Sequence, residues 1–370
     1  MNRLLLSAFL ADVVCARLDM YGLHAVGWSR SDLWAPKATI ATAATATATP
    51  PPSGLVFSTT PAALPPPGQP DISYHPDWSK YKARVARRTQ TENLPNNLPK
   101  GFPERVKGDL VWEGENLAQK YEWAYVLSAD QQKEIDNAAT HFKSLKLGLD
   151  YIMQETFPLP NLHAKLHRLS HELHFGHVVF VLCGLDVVRY TREENVIIYT
   201  GVSSHISSIR GCQDAYLDGK RADAVIGHIK DVRSVLGEGK NKDQLKIGTP
   251  AYTADKQVFH TDSGDVVSLF TLSTAAEGGA SRLANDGDKF EKRPLLYHQR
   301  ASADSKTPER ILLYHLPPIT EAQAEALDVL YFLGERFSVS TEFQKGDMQY
   351  VNNLAIFHAR DGFTDEDGKR

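Results

Sequence analysis

The chain has 370 residues, of which 42% are hydrophobic and 23% charged, with a formal net charge of −4. That composition belongs to a protein able to bury a sizeable core, and the near-neutral balance without a basic run argues against a nucleic-acid partner. No apolar run approaches the roughly 18 residues that span a bilayer, and Cys15, Cys183 and Cys212, odd in number and without a CxxC pair, fit a reduced, intracellular compartment; a cytoplasmic location is expected ahead of a mitochondrial or secreted one.

Residues 1–70 read as a disordered, low-complexity leader. Arg3 precedes the apolar run Leu4 to Leu10, but Asp12 interrupts it before a secretory core is complete. Arg3, Arg17 and Arg30 are matched by Asp12, Asp19 and Asp32, unlike an acid-poor presequence. From Ala38 to Pro70 the chain is Ala/Thr-rich and then Pro-rich, a composition that cannot bury enough apolar surface to fold. Residues 71–99 are expected to be a linker, with the folded domain over 100–370.

Ser128 and Gln131 make a capping box for a helix through Lys143, with Ile135, Ala138, Ala139 and Phe142 on its inner stripe. The next helix, Asn161 to His174, carries Leu162, Leu166, Leu169 and Leu173 on one stripe and His163, His167, His171 and His174 on another. The histidine row has the spacing to grip zinc or copper. Its alternative is a solvated polar face opposite the leucines. A continuous apolar strand, Val178 to Leu182, follows, then a helix from near Thr191 and a strand or helix end over Val225 to Ile229. A Gly/Lys-rich loop runs from Gly237 to Lys246. His171-Glu172 lacks the HExxH spacing, and the stretch Gly201 to His205 lacks the second glycine of a nucleophile elbow, so hydrolase chemistry is disfavoured.

The stretch Phe259-His260-Thr261-Asp262 carries the chemistry. On a strand, residues two apart point to the same side, so His260 and Asp262 share a face, and His358 can supply a third corner. Two imidazoles and one carboxylate on one face of an octahedral ion leave the opposite positions open, as in non-haem ferrous oxygenases. The motif alone is weak: with 14 His and 45 Asp plus Glu, roughly two His-x-acid matches arise by chance. His75-Pro76-Asp77 is one, and its proline-rich surroundings argue against a strand. Around His260 the signals agree: a turn at Thr249 to Tyr252, a β-prone run from Asp265 to Leu272, and a tight turn at Gly278 to Ser281. Asp262 is expected among apolar neighbours, where a bare carboxylate is stable only when paired or metal-bound. For His358 alone, a core histidine bonded to backbone is the alternative. Thr320 and Gln323 cap a helix to Phe337, Lys345-Gly346-Asp347 is a turn, and Met348 to Asn353 and Ala355 to His358 read as strand pieces flanking an asparagine pair. Helices packed on a β-core give an α/β class.

Two longer strings carry a resemblance: Lys256 to Asn285, with its HTD, AAEGGAS and RLA, and FQKGDMQYVNNLAIFHARDGF from Phe343 onwards. With Phe102 to Gly108, Tyr199 to Asp214 and Pro317 to Leu330, they resemble the taurine dioxygenase-like (TauD/TfdA) family of Fe(II)- and 2-oxoglutarate-dependent dioxygenases, in its fungal form. The resemblance implies a double-stranded β-helix, a jelly-roll variant, with flanking helices. It implies Fe(II) on His260, Asp262 and His358, with 2-oxoglutarate and O2 as cosubstrates. The reaction would oxidise a small organic substrate, a sulfonate or carboxylate, and release succinate and CO2. In the family an arginine after the distal histidine meets the far carboxylate of 2-oxoglutarate, a task suited to a guanidinium fork. Arg370 occupies that position, helped by the Ser281 hydroxyl, whereas Arg360 is expected to be structural. His205 and the block 199–214 are expected to line the substrate mouth. The family carries longer inserts after Asn285 and after His315, so part of the lid is expected to be absent. It also continues past the arginine into a closing strand, which is expected to be missing here and to leave a sheet edge unpaired. The expected partner is a small molecule, with a homo-oligomer compatible. Two other readings stand beside this one: a catalytically silent binding protein of the same fold, and a metal-binding protein using the row from His163 to His174.

Overall fold

The computed structural model describes residues 70–93, 117–211, 225–231, 253–262, 264–285 and 318–365, two short strands at 215–217 and 220–222, and a few isolated positions. The leader up to residue 67, the loop at 237–246, the stretch 286–317 and Arg370 lie outside the described residues.

Within the expected linker, Trp78–Thr91 forms helix α1, begun by Asp77, whose side chain accepts from the Lys80 N–H. The linker expectation is therefore corrected for residues 78–91. The physical reason lies in what the helix buries: Arg84 and Arg88, rather than an apolar stripe. Arg84 pairs with Asp328 and with Glu321 at 2.9 Å, and Arg88 with Glu325 at 2.6 Å. Trp78, Tyr81 and Val85 fall at helical spacing, and the two aromatics pack on Phe332, but none of the three is fully buried, so the apolar signal is short beside the buried charges.

Next come α2 (Leu117–Lys120), β1 (Ala124–Val126), α3 (Ala129–Leu145), α4 (His163–Phe175), β2 (Val179–Cys183) and α5 (Arg192–Ser204). After the hairpin strands β3 (Ala215–Leu217) and β4 (Lys220–Ala222) the chain forms β5 (Gln257–His260), β6 (Val266–Phe270), β7 (Glu277–Gly278) and β8 (Ser281–Ala284). Helix α6 (Glu321–Phe337) leads into β9 (Val339–Thr341), β10 (Met348–Asn352), β11 (Phe357–Arg360) and β12 (Phe363–Thr364). Both members of the capping box are bonded at Ser128/Gln131, Thr191/Glu194 and Thr320/Gln323. The stretch Val225 to Ile229 forms neither helix nor strand. No helix among the described residues is long and apolar enough to cross a membrane.

Two four-stranded sheets organise this mixed α/β fold, in the orders β1-β2-β10-β6 and β5-β11-β8-β9. Only β1 and β2 run parallel within them; the other neighbours are antiparallel. Alternation along β2 and β10 assigns the faces of the first sheet. Phe180, Leu182, Met348 and Tyr350 pack with the inner stripes of α3, α4 and α5, including Phe142, Leu166, Leu173 and Ile197. Each fully buried leucine of this kind contributes about 1.5–3 kcal/mol. Val179 and Val351, on the opposite face, join Leu283 of the second sheet. The outer face of the second sheet, with Phe259, Ala284, Phe357 and Ala359, packs on Leu330, Tyr331 and Leu333 of α6. By the same alternation His260, His358 and Leu283 point away from α6, toward the first sheet. Gly334 permits the close approach of α6, since a Cβ there would stand 2.6 Å from the Phe259 ring.

Candidate metal centre

His260 is the last residue of β5, and His358 on β11 lies directly opposite it in register. Their ring centroids are 4.2 Å apart with planes at 58°. His358 Nε2 is 3.1 Å from Asp262 Oδ2, and His260 Nε2 is 3.8 Å from Asp262 Oδ1. One ligand atom from each of the three falls within 4.8 Å of the other two. Among the described residues this is the one group of three or more His, Cys, Asp or Glu side chains so disposed. The row from His163 to His174 is not such a group. His167, His171 and His174 are exposed along α4, while Leu162, Leu166, Leu169 and Leu173 are buried, so the row is the polar face of an amphipathic helix.

The donor set fits a divalent first-row metal. Nδ1 of His260 is 2.7 Å from the Val258 carbonyl, which can only accept, so Nδ1 carries the proton and Nε2 presents a lone pair. Nδ1 of His358 is buried without a hydrogen-bond partner, which leaves Nε2 as its outward-acting atom. The side chains grade from enclosed to open, with His260 2%, His358 12% and Asp262 47% exposed. An ion held here would be backed by protein on the histidine side and reachable from solvent on the carboxylate side.

Asp262 departs from expectation. Rather than sitting in a core strand among apolar neighbours, it lies two residues beyond the end of β5 and is half exposed. The fully buried Asn353, in the turn between β10 and β11, meets its backbone instead: Asn353 Oδ1 accepts from the Asp262 N–H at 2.8 Å, and Nδ2 donates to the Asp262 carbonyl at 2.7 Å.

Gln257 was not a candidate from the sequence, yet its Nε2 is 3.1 Å from His260 Nε2. Strict alternation would put residues three apart on opposite faces. A bulge resolves this: His358 pairs with His260 but Arg360 with Gln257, so β5 spends three residues where β11 spends two. Arg360 donates through Nη2 to the carbonyls of Thr253 and Asp255, both at 2.7 Å, and so ties the entrance of β5 to β11.

Ser281 opens β8 and is buried, its hydroxyl donating to Gln349 Oε1 of β10 at 3.2 Å, so that it bridges the two sheets. It pairs with Arg360, two positions along from the Leu283–His358 pair. Arg370, its expected companion, lies outside the described residues. His205 is corrected. It is buried at the end of α5, with Nε2 on the Phe157 carbonyl at 2.8 Å and Nδ1 on His163 Nδ1 at 2.9 Å. Both ring nitrogens are taken within the helical layer, which leaves none to meet a substrate.

Comparison with known proteins gives a family match and likenesses both to curated proteins and to solved structures. The family described as Taurine catabolism dioxygenase TauD, TfdA family matches residues 286–370. The Taurine hydroxylase-like protein SAT17 of Stachybotrys chartarum (strain CBS 109288 / IBT 7711) is 32% identical over 296 residues, covering 70% of this chain and 75% of that protein. FR-33289 synthase of Streptomyces rubellomurinus (strain ATCC 31215) is 22% identical over 307 residues, covering 71% of this chain and 85% of that protein. Among solved structures, the non-heme iron oxygenase OrfP in complex with Fe and alpha-ketoglutaric acid aligns over 66% of this chain and 90% of its own, at 12% identity and a TM-score of 0.45.

Proposed function

The chain belongs to the TauD/TfdA family of Fe(II)- and 2-oxoglutarate-dependent dioxygenases, and on that premise we propose that it hydroxylates a small organic substrate, a sulfonate or carboxylate, at iron held by His260, Asp262 and His358. The observation that carries this reading is the convergence of their ligand atoms to within 4.8 Å from segments far apart in sequence. When bound, Fe(II) with 2-oxoglutarate and O2 supplies the oxidation, 2-oxoglutarate being split to succinate and CO2 as oxygen enters a substrate C–H bond.

The chain's own residues prepare the site. The Val258 carbonyl fixes the tautomer and ring plane of His260, so its Nε2 lone pair is aimed before any metal arrives. Asp262 adds the negative charge that two neutral imidazoles lack, at the solvent side where substrate has access. Leu283, Val179 and Val351 close the space between the sheets to water. Ser281 and Arg370 are assigned to the distal carboxylate of 2-oxoglutarate, an ionised group that hydroxyl and guanidinium donors suit. The two sheets, closed on each other as a double-stranded β-helix, form the catalytic domain over 100–370, with α1 packed against α6. We place the protein in the cytoplasm, acting on a small molecule alone or as a homo-oligomer.

The test is turnover of 2-oxoglutarate to succinate by protein loaded anaerobically with Fe(II) and then exposed to O2. Succinate is expected from the wild type and not from His260→Ala. A wild type that binds iron and 2-oxoglutarate yet forms no succinate would point instead to a silent binding protein of the same fold.

A further inference from the structure

Asn352 and Asn353 are consecutive buried asparagines at the end of β10, and their amides serve different parts of the molecule. Asn352 donates to the Leu173 carbonyl of α4 at 3.0 Å and accepts from the Leu354 N–H at 3.0 Å, which joins the first sheet to its helical layer. Asn353 turns to the other side. Its side chain accepts from the Asp262 N–H and donates to the carbonyls of Asp262 and Gly264, and its own N–H donates to the Asp265 carbonyl at 3.0 Å.

Resting on that proposed metal reading, we infer that Asn353 is a positioning residue that aims the Asp262 carboxylate at the metal by gripping both the N–H and the C=O of Asp262. β5 ends at His260, two residues before Asp262. A carboxylate this exposed, beyond the end of its strand, has several rotamers to choose among, and fixing one of them on capture by a metal costs entropy. The Asn353 amide bonds both the N–H and the C=O of Asp262, as a neighbouring strand would, and thereby fixes the direction of its Cβ. With no exposed surface, Asn353 makes these bonds without competition from water. The same turn runs on through residues 354–356 into β11 and His358, so a single short segment controls the spacing between two of the three donors.

Co(II) titration of the full chain tests this, followed by visible absorption, with far-UV circular dichroism reporting the fold. Wild type and Asn352→Ala are expected to bind Co(II) alike, although Asn352→Ala lowers the thermal midpoint. Asn353→Ala is expected to bind about 10–100-fold more weakly, the range for loss of a group that orients a ligand, with altered ligand-field bands. Asn353→Asp keeps the acceptor for the Asp262 N–H but loses the two donors; it too is expected to bind more weakly than wild type, and it stands in should the alanine variant fail to fold. Wild-type affinity and spectrum in a folded Asn353 variant overturn the inference. So does a drop in affinity equal to that of Asn352→Ala, which would make the effect one of general stability. Failure of the metal reading itself is seen separately, as no Co(II) binding by wild type or undiminished binding by His260→Ala.

Discussion

Gln257 and His260 lie on the same face of β5 although three residues separate them, because the bulge opposite Arg360 absorbs the odd residue. An amide N–H of Gln257 therefore reaches the same Nε2 lone pair that a metal would take. The two compete. A hydrogen bond of this kind contributes about 0.5–1.5 kcal/mol net, so Gln257→Ala is expected to tighten metal binding by about two- to tenfold. Weaker binding in an equilibrium titration would show instead that the Gln257 side chain helps to hold the ion.

Docking of α1 rests on Arg84, buried between Asp328 and Glu321, with Nη2 also on the Asp71 carbonyl at 2.6 Å. Arg84→Ala leaves the Asp328 carboxylate buried without its guanidinium, a change that destabilises by about 3–5 kcal/mol in comparable pairs. Asp328→Ala is expected to do less, since Arg84 keeps Glu321 and the backbone carbonyl. Urea unfolding gives the two differences, and limited proteolysis should find cleavage within residues 70–93 first in Arg84→Ala. Equal stability of Arg84→Ala and wild type would contradict the account.

Gly334 sets two effects of known size against each other. Replacing a mid-helix glycine by alanine gains up to about 1 kcal/mol in helix propensity. The new Cβ, however, would lie 2.6 Å from the Phe259 ring, and overpacking of a buried contact costs about 1–3 kcal/mol. The clash wins: Gly334→Ala is expected to lower stability in urea unfolding. Because Phe259 precedes His260 on β5, metal affinity should fall with it. A more stable variant would mean that α6 shifts freely over the sheet.

These relationships also mark how far the sequence was legible. Signals that are local or periodic came through: the capping boxes at Ser128 and Thr320, the helix start near Thr191, the leucine stripe at residues 162, 166, 169 and 173, and the apolar run that became β2. What was not legible depends on long-range pairing. A helix whose fully buried residues are arginines against a distant acidic face carries only a short apolar stripe, Trp78, Tyr81 and Val85, so α1 read as linker. A bulge is decided by the partner strand, so Gln257 was missed. The end of β5 at His260 left Asp262 exposed where continued alternation predicted a core position. Asn353 was visible as half of an asparagine pair in a turn, but which of the two faces the site follows from the course of β10. His205 lay in a string shared with the family, and that likeness did not reveal that α4 and the Phe157 carbonyl close over it.

His205 gives the molecule a pH dependence of predictable sign. Burial holds its pKa below the ordinary histidine value, opposed by the hydrogen bond to Phe157 and assisted by His163, with Glu134 and Glu155 pulling the other way. The unfolded chain takes up a proton as pH falls through about 6.5, while the folded ring stays neutral to lower pH. Stability is thus fully present above that value and declines on acidification. His205→Gln, which retains a donor for the Phe157 carbonyl, is expected to show a shallower decline between about pH 7 and pH 5. Identical slopes in the two proteins, measured by urea unfolding at a series of pH values, would contradict this.

The central claim is that two ring nitrogens and one carboxylate oxygen hold a single iron. Its most direct measurement is the iron retained per chain after anaerobic loading with Fe(II) and desalting. The wild type is expected to keep about one ion, His260→Ala, Asp262→Ala and His358→Ala close to none, and the double substitution of His167 and His171 by alanine as much as the wild type. Iron retained by the three single variants, or lost on replacing the two helix histidines, would place the metal elsewhere and contradict the account.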